Sequence, residues 1–429
     1  MCTTAIPSPP NRKRCSASVS STGVIARALL TAALGLGLVA CGGGGGGNAS
    51  TVTPFVFDTP EGFPEPRLRE SIPMSQQSVA LGRRLFYDRR MSINQQASCA
   101  TCHEQRLAFT DGLATSVGPT GDIHPRNAMS LTNAVYNARQ NWANPNMMDL
   151  RQQALGVLLN EDTLELGWSG REQEMLDRFR NNPDDVARFS AAFPEDEEPV
   201  NLDNVVKAVA AFTATLISGN AARDRFYSLI DPDPDAMSPA ARRGEALFFS
   251  ERLECFHCHG GFNFAQSVVH QDSTLDAIEY RNNGLYNLAG PGGGNPLPEG
   301  NYPANNHGLF EFTGQPRDMG RFRAPSLRNI VLTAPYMHDG SIATLREVIQ
   351  DHYARAGRLI ENGPFAGDGS QSPFRDGLLV EFQLSENELQ DLLAFFDSLT
   401  DWEFICEPRF SDPFGHIPMH ENCGTAPLQ

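Results

Sequence analysis

Two pentapeptides of the form Cys-x-x-Cys-His constrain the fold of this 429-residue chain more than any other feature. They consist of Cys99, Cys102 and His103 and of Cys255, Cys258 and His259. Two thiols about one helical turn apart can bond to the two vinyl groups of one porphyrin, and the adjacent histidine can bind its iron. Each pentapeptide therefore predicts covalent attachment of a haem c. A zinc ribbon is the weaker interpretation, because its cysteine pairs lie roughly 15–20 residues apart, and a thioredoxin-like redox pair does not need the histidines.

The first 66 residues predict export and a lipid anchor. An apolar run over residues 28–39 is too short to span a bilayer and follows a basic stretch, so residues 1–40 are interpreted as a signal peptide. The sequence Leu-Val-Ala-Cys that ends at Cys41 is similar to a bacterial lipobox, which predicts cleavage before Cys41 and lipidation of its thiol. Residues 41–66 then form a tether that begins with the glycines of 42–47. We expect a periplasmic protein that meets the membrane only through this anchor, with a plain secretory signal as the alternative.

An internal repeat indicates two versions of one fold. The segment Ser75–Phe86 reappears in related form as Ser238–Phe249, each time shortly before a cysteine motif. Apolar residues recur at helical spacing, and no run of the chain alternates with period two, so the prediction is all-α. The break at Asp231–Asp235 divides the chain into two cytochrome c-like haem domains with long loops, over residues 67–235 and 236–429.

Two more helices can be placed from the sequence. Apolar residues lie on one helical face from Asp203 to Leu216. Ser385 and Glu388 form the capping-box pattern that begins a helix. We expect these helices to close the first and the second domain, respectively.

The acidic composition and the remaining cysteines fit an exported protein. A formal net charge of −17 argues against nucleic acid as a partner. An acidic surface can steer a basic protein toward it, although it equally suits a soluble periplasmic protein. Cys406 and Cys423 are expected to form a disulfide, with two unpaired thiols as the alternative.

Over residues 70–400 the chain resembles the bacterial di-haem cytochrome c peroxidases and their MauG-like relatives. The resemblance rests on Arg126–Asn137, on Gln153-Ala154 followed by Glu165–Gly167, on Phe322–Asn329 and on Thr333–Leu345. It implies that hydrogen peroxide reacts at the N-terminal haem, bound through His103. The C-terminal haem, bound through His259, would stay six-coordinate and exchange electrons.

The resemblance also implies roles for residues outside the haem motifs. Trp142 matches a tryptophan that lies between the haems and can relay an electron hole. Glu165 matches the distal glutamate that moves peroxide protons, with the nearby Glu161 and Asp162 as alternative carboxylates. Matches to an interdomain calcium site, which offers oxygen ligands to a hard cation, are Asn127, Thr333 and Pro335.

Two departures from the family pattern affect the haem ligands. Pro119 stands where the family's cytochrome c peroxidases carry a distal histidine, which predicts an open N-terminal haem; His124 is a possible substitute. The sixth ligand of the C-terminal haem is methionine in those peroxidases and tyrosine in MauG. Family spacing from His338 leads to His352 here, so we expect a bis-histidine haem, with Tyr353 as the second choice.

The sequence thus predicts a peroxidase-family oxidoreductase with two haem c groups and a calcium ion. A small c-type cytochrome or a copper protein would supply electrons. The first alternative is a MauG-like enzyme that oxidises tryptophan residues of a partner protein. The second alternative is an electron-transfer cytochrome without catalysis.

Overall fold

The computed structural model describes residues 52–68, 71–273, 278–287, 302–304 and 307–424. The predicted signal peptide, Cys41 and the tether up to residue 51 lie outside the described residues. Within the described ranges the chain is helix-rich, as predicted. The helices are α1 (Gln76–Tyr87), α2 (Cys99–Cys102), α3 (Leu150–Leu159), α4 (Glu172–Arg180), α5 (Pro183–Ala192), α6 (Leu202–Ala214), α7 (Ala222–Phe226), α8 (Pro239–Phe248), α9 (Phe256–His259), α10 (Phe310–Thr313), α11 (Leu345–Glu347), α12 (Glu386–Asp397) and α13 (Trp402–Ile405). None of the described helices has the length and apolar character needed to cross a membrane.

The predicted helix starts are observed, whereas short strands were not expected. Ser75 and Ser385 are the N-caps of α1 and α12, and Ser385 forms the capping box with Glu388. Among the described residues, the strands form two antiparallel pairs: β1 (Tyr280–Arg281) with β2 (Phe322–Arg323), and β3 (Leu359–Ile360) with β4 (Gly367–Asp368). A two-residue strand is too short to leave a period-two pattern in a sequence.

The repeat appears in the structure as two crossed helix pairs. Helix α1 packs on α6, and α8 packs on α12. Gly82 lies at the first crossing, where a Cβ atom would come within 1.9 Å of the Ala208 carbonyl oxygen. Gly244 lies at the second, where a Cβ atom would come within 1.9 Å of the Asp391 carbonyl oxygen. Each glycine therefore permits the close approach of two helix backbones beside a haem motif.

Each helix pair belongs to a separate apolar core. The first core contains the fully buried Trp168, and Cys99 packs against it. The second contains Phe248 and Phe395, and Cys255 packs against it. Both cores lie within one compact unit, residues 49–429. The domain boundary after residue 235 stays a prediction.

The C-terminal tail folds back onto the first half of the chain. Cys406 and Cys423 form a disulfide, which confirms their predicted pairing. The Tyr87 hydroxyl of α1 donates to the Phe410 carbonyl at 2.6 Å, and Arg83 Nε donates to the Ser411 carbonyl at 2.7 Å. The tail thus covers the outer side of α1.

Candidate functional site

The first Cys-x-x-Cys-His motif forms the short helix α2. Ser98 caps its N-terminus, and the Cys99 and Cys102 thiols are free and half-buried. His103 ends the helix, and its Nδ1 lies 2.8 Å from the Phe109 carbonyl oxygen. This hydrogen bond makes Nδ1 the donor and leaves Nε2 as the free lone pair, which is the state required of an iron ligand.

The second motif repeats this arrangement. Cys255 lies at the start of α9. The thiols of both cysteines of this motif, Cys255 and Cys258, are free and half-buried. His259 Nδ1 lies 3.1 Å from the Pro325 carbonyl oxygen and 3.3 Å from that of Phe264. Two free thiols and an imidazole polarised through Nδ1 are the donor set that haem c requires, so both sites fit the cofactor.

Glu165 is one of two described carboxyl groups whose charges act on the first motif, and Asp111 is the other. The charge of Glu165 acts on both the Cys99 and Cys102 thiols. Asn160 Nδ2 donates to its Oε1 at 3.0 Å. Burial raises the pKa of Glu165 to about 7 despite this bond. The alternatives Glu161 and Asp162 are exposed.

A turn closed by one antiparallel bridge contains Pro119 and precedes His124. The bridge joins Val117 and Ile123, and the Pro119 carbonyl accepts from Asn94 Nδ2 at 2.7 Å. His124 is half-buried, and burial lowers its pKa. The charge of Asp111 acts on both His124 and Cys102, so one carboxyl group lies near each of them.

Trp142 connects the two halves of the chain. Its Nε1 donates to the Asn127 carbonyl at 2.9 Å, and its own carbonyl accepts from Arg323 N at 2.8 Å. The segment after Asn127 lies near His103, because the Met129 carbonyl is among the groups that act on that ring. The segment after Arg323 reaches His259 through Pro325. Trp142 is therefore bonded to two segments that lead to the histidines of the two motifs.

The two candidate sixth ligands of the second haem differ in their surroundings. His352 ends a π-helical turn, Val348–His352, is fully buried, and has no partner for either ring nitrogen among the described residues. Burial lowers its pKa to about 3, and the charges that act on it are those of Arg358 and Asp339. Burial raises the pKa of Tyr353 to about 12, and the thiols that act on it are Cys258 and Cys255. Both residues are candidates, and the two unpartnered ring nitrogens of the buried His352 favour the imidazole.

The residues predicted for calcium come from segments that are hydrogen-bonded to each other. Asn127 N donates to the His338 carbonyl at 2.8 Å, which brings Asn127 beside the segment that contains Thr333 and Pro335. Asn127 Nδ2 donates to the Leu113 carbonyl at 2.8 Å, which leaves Oδ1 for another partner. Oxygen atoms of this kind suit calcium.

Two polar residues of these regions were given no role from the sequence. Gln153 lies on α3, and its buried Oε1 has no partner among the described residues. Arg323 is buried, and its Nε likewise has none. Both belong to the segments on which the family resemblance rests, so the resemblance was the signal that could have identified them.

Two haem c attachment sites on one helix-rich chain define a di-haem c-type cytochrome. The sequence model of the family described as di-haem cytochrome c peroxidase matches residues 76–229. The cytochrome-c peroxidase IdrP1 of Pseudomonas sp. (strain SCT) is 30% identical over 344 residues, which cover 79% of this chain and 84% of that protein. The methylamine utilization protein MauG of Paracoccus denitrificans is 31% identical over 362 residues, which cover 75% of this chain and 88% of that protein. The chain belongs to the di-haem cytochrome c peroxidase and MauG family.

A solved structure is more similar still. It is described as a MauG-like protein associated with microbial copper homeostasis. It is 43% identical, has a TM-score of 0.78, and the match covers 84% of this chain and 99% of that chain. The two folds therefore correspond over nearly all of that protein.

Proposed function

We propose that this protein is an exported di-haem oxidoreductase that uses hydrogen peroxide at its N-terminal haem and shares oxidising equivalents with its C-terminal haem. The observation that carries this proposal is Glu165. It is a half-buried carboxyl group beside the first haem motif, and its pKa is about 7. A group with that pKa can both accept and donate a proton near neutral pH.

The proposed chemistry divides the work between cofactor and protein. When bound, the haem supplies the iron at which the O–O bond breaks and the electrons that reduce peroxide. Glu165 accepts the first peroxide proton and returns it to the departing oxygen, which leaves as water. Asn160 holds the carboxyl group in place through its hydrogen bond to Oε1. Overall, H2O2 takes up two electrons and two protons to give two molecules of water.

The test is the rate of peroxide consumption by the Glu165→Gln variant of the holoprotein. Loss of positioned proton transfer typically costs about a hundredfold to ten-thousandfold in rate. Glu161→Gln is the matched control, because Glu161 is four residues away and exposed. A Glu165→Gln variant as fast as Glu161→Gln would exclude this role.

A MauG-like reaction, with a protein as the reductant, is the second candidate. Trp142 supports it. Its indole N–H donates to the Asn127 carbonyl and its own carbonyl accepts from Arg323 N, so the indole lies between segments that lead to the two motifs and can carry oxidising equivalents between them. The 43% identical MauG-like structure also favours it. The two candidate reactions differ in their electron donor. A small c-type cytochrome or a copper protein supplies electrons in the peroxidase reaction, and tryptophan residues of a partner protein supply them in the MauG-like reaction. Mass spectrometry of a co-purified or genetically adjacent partner after peroxide treatment distinguishes them.

We propose His352 as the sixth ligand of the C-terminal haem, with Tyr353 as the second choice. The support is geometric, because His352 is fully buried and neither of its ring nitrogens has a partner among the described residues. A second imidazole ligand lowers the reduction potential relative to methionine ligation, which favours storage of oxidising equivalents. An unchanged low-spin ferric signal in His352→Ala would exclude this ligand.

Calcium and membrane attachment complete the proposal. Calcium bound by Asn127, Thr333 and Pro335 would join the two halves, and metal analysis after dialysis tests it. Lipidation of Cys41 would hold the protein at a periplasmic membrane surface, and a Cys41→Ser variant should then be released from the membrane fraction.

A further inference from the structure

Arg323 is a buried cation without a carboxylate partner among the described residues. It lies in β2 and is 2% exposed, and Tyr280, opposite it in β1, is the one described titratable group that acts on it electrostatically. Its Nε has no hydrogen-bond partner among the described residues. Nη1 lies 3.3 Å from Asn137 Oδ1, and Nη2 lies 3.9 Å from Met129 Sδ. A guanidinium group has five N–H donors, and a buried unpaired charge is strongly unfavourable, so this position calls for an anion.

A second buried arginine, Arg328, lies in the same segment and is paired with a carboxylate. The Arg328 side chain is 1% exposed. Its Nη1 lies 2.7 Å from Asp224 Oδ2, and its Nη2 lies 3.0 Å from Asp224 Oδ1. The chain thus supplies a two-point carboxylate partner to Arg328 and none, within the described residues, to Arg323.

The position of Arg323 indicates where its anion comes from. Two residues further on, the Pro325 carbonyl accepts from His259 Nδ1. Met129, whose Sδ lies 3.9 Å from Nη2, has a carbonyl that acts on the His103 ring. Arg323 therefore contacts or belongs to segments that lead to the histidines of both motifs. A haem c carries two propionate carboxylates, which are the anions that a haem bound at either motif would offer to this guanidinium group.

We propose that Arg323 binds a haem propionate in the space between the two haem sites. The pair is a charge-assisted hydrogen bond of the kind that arginine forms with a carboxylate. A buried positive charge beside a haem stabilises the added electron of its reduced form, so Arg323 raises the reduction potential of that haem. Its backbone N–H also holds the Trp142 carbonyl, so the same residue positions the tryptophan between the sites. The inference rests on the two-haem assignment and not on the peroxide reaction.

Spectroelectrochemical titration of the full-length holoprotein tests this assignment. Arg323→Gln should shift the midpoint potential of one haem to a lower value, whereas Arg323→Lys, which keeps the charge, should retain most of the wild-type potential. Arg317→Gln is the control, because it removes an exposed positive charge close in sequence and should leave both potentials unchanged.

The outcomes separate a charge effect from a structural one. Wild-type potentials for both haems in Arg323→Gln would overturn the proposal, and so would equal shifts in the Gln and Lys variants. Each variant is first checked for two haems per chain by the pyridine haemochrome spectrum. Fewer than two haems in the wild type would overturn the assignment on which the inference rests. The titration needs no peroxide, so failure of the Glu165 test leaves its result unaffected.

Discussion

At the scale of single residues, Glu165 predicts how the peroxide reaction depends on pH. Burial raises its pKa from 4.5 to about 7 because the surroundings disfavour the charged carboxylate. A carboxyl group must be deprotonated to accept the first peroxide proton. We therefore expect the rate of reaction with peroxide to increase as pH rises through 7 in the wild type and to be independent of pH there in Glu165→Gln. Stopped-flow spectroscopy of the haem absorption measures both rates, and a wild-type rate that falls over this range would contradict the proposed order of proton transfers.

A functional residue can be predicted from the sequence when the residues that it acts with are its neighbours in the chain. His103 and His259 could be identified from five contiguous residues, because haem attachment uses neighbouring side chains. Glu165 required the family resemblance, since its neighbours in space come from α2. His352 and Tyr353 are adjacent in the chain, and only packing in three dimensions leaves both ring nitrogens of His352 without a partner among the described residues. The missing partner of Arg323 is a property of three-dimensional packing and leaves no trace in the sequence.

At the scale of helices, the two crossings predict a specific sensitivity to one methyl group. Gly82→Ala and Gly244→Ala should each reduce the free energy of unfolding by about 1–3 kcal/mol, because the added Cβ atom forces two helix backbones apart. Gly377→Ala is the control, since a Cβ atom there meets no other atom within 4 Å. Urea unfolding monitored by circular dichroism gives the three values. Equal stabilities of the Gly244→Ala and Gly377→Ala variants would contradict the observed closeness of α8 and α12.

Helix starts and faces were predictable, but the contacts between helices were not. The caps of α1 and α12 are local hydrogen bonds, and the apolar stripe of α6 follows from a 3.6-residue period, so each is visible in a short window of sequence. Which helices pair depends on closing loops of more than a hundred residues. The repeat of Ser75–Phe86 indicated two similar units, and the structure adds that each one pairs with the last long helix of its own half.

At the scale of the whole molecule, two equivalent asparagines, one from each half, form buried hydrogen bonds to the same serine, Ser218. Asn133 and Asn329 both have left-handed backbone conformations, with φ of 58° and 60°. Asn133 Nδ2 donates to the Ser218 carbonyl at 2.9 Å, and Asn329 Nδ2 donates to the Ser218 hydroxyl oxygen at 3.1 Å. The repeat therefore extends beyond the helices, and its two copies meet at one serine. Such a joint holds the two haem motifs in a fixed relation, which electron exchange between them requires.

The two haems should differ in spin state. Pro119 cannot bind iron, so the N-terminal haem of the oxidised protein should be high-spin and open to ligands without prior reduction. The C-terminal haem should be low-spin through His259 and His352. Low-temperature electron paramagnetic resonance of the as-isolated ferric protein should show one high-spin and one low-spin signal.

Variants assign these signals. His352→Ala should abolish or shift the low-spin signal, and Tyr353→Phe should preserve it. The reverse pattern would make Tyr353 the ligand. Two low-spin signals, one of which becomes high-spin only after addition of a single electron, would contradict an open N-terminal haem. In that case His124, which is half-buried and close in sequence to Pro119, becomes the first residue to substitute, because displacement of a protein ligand would then precede the reaction with peroxide.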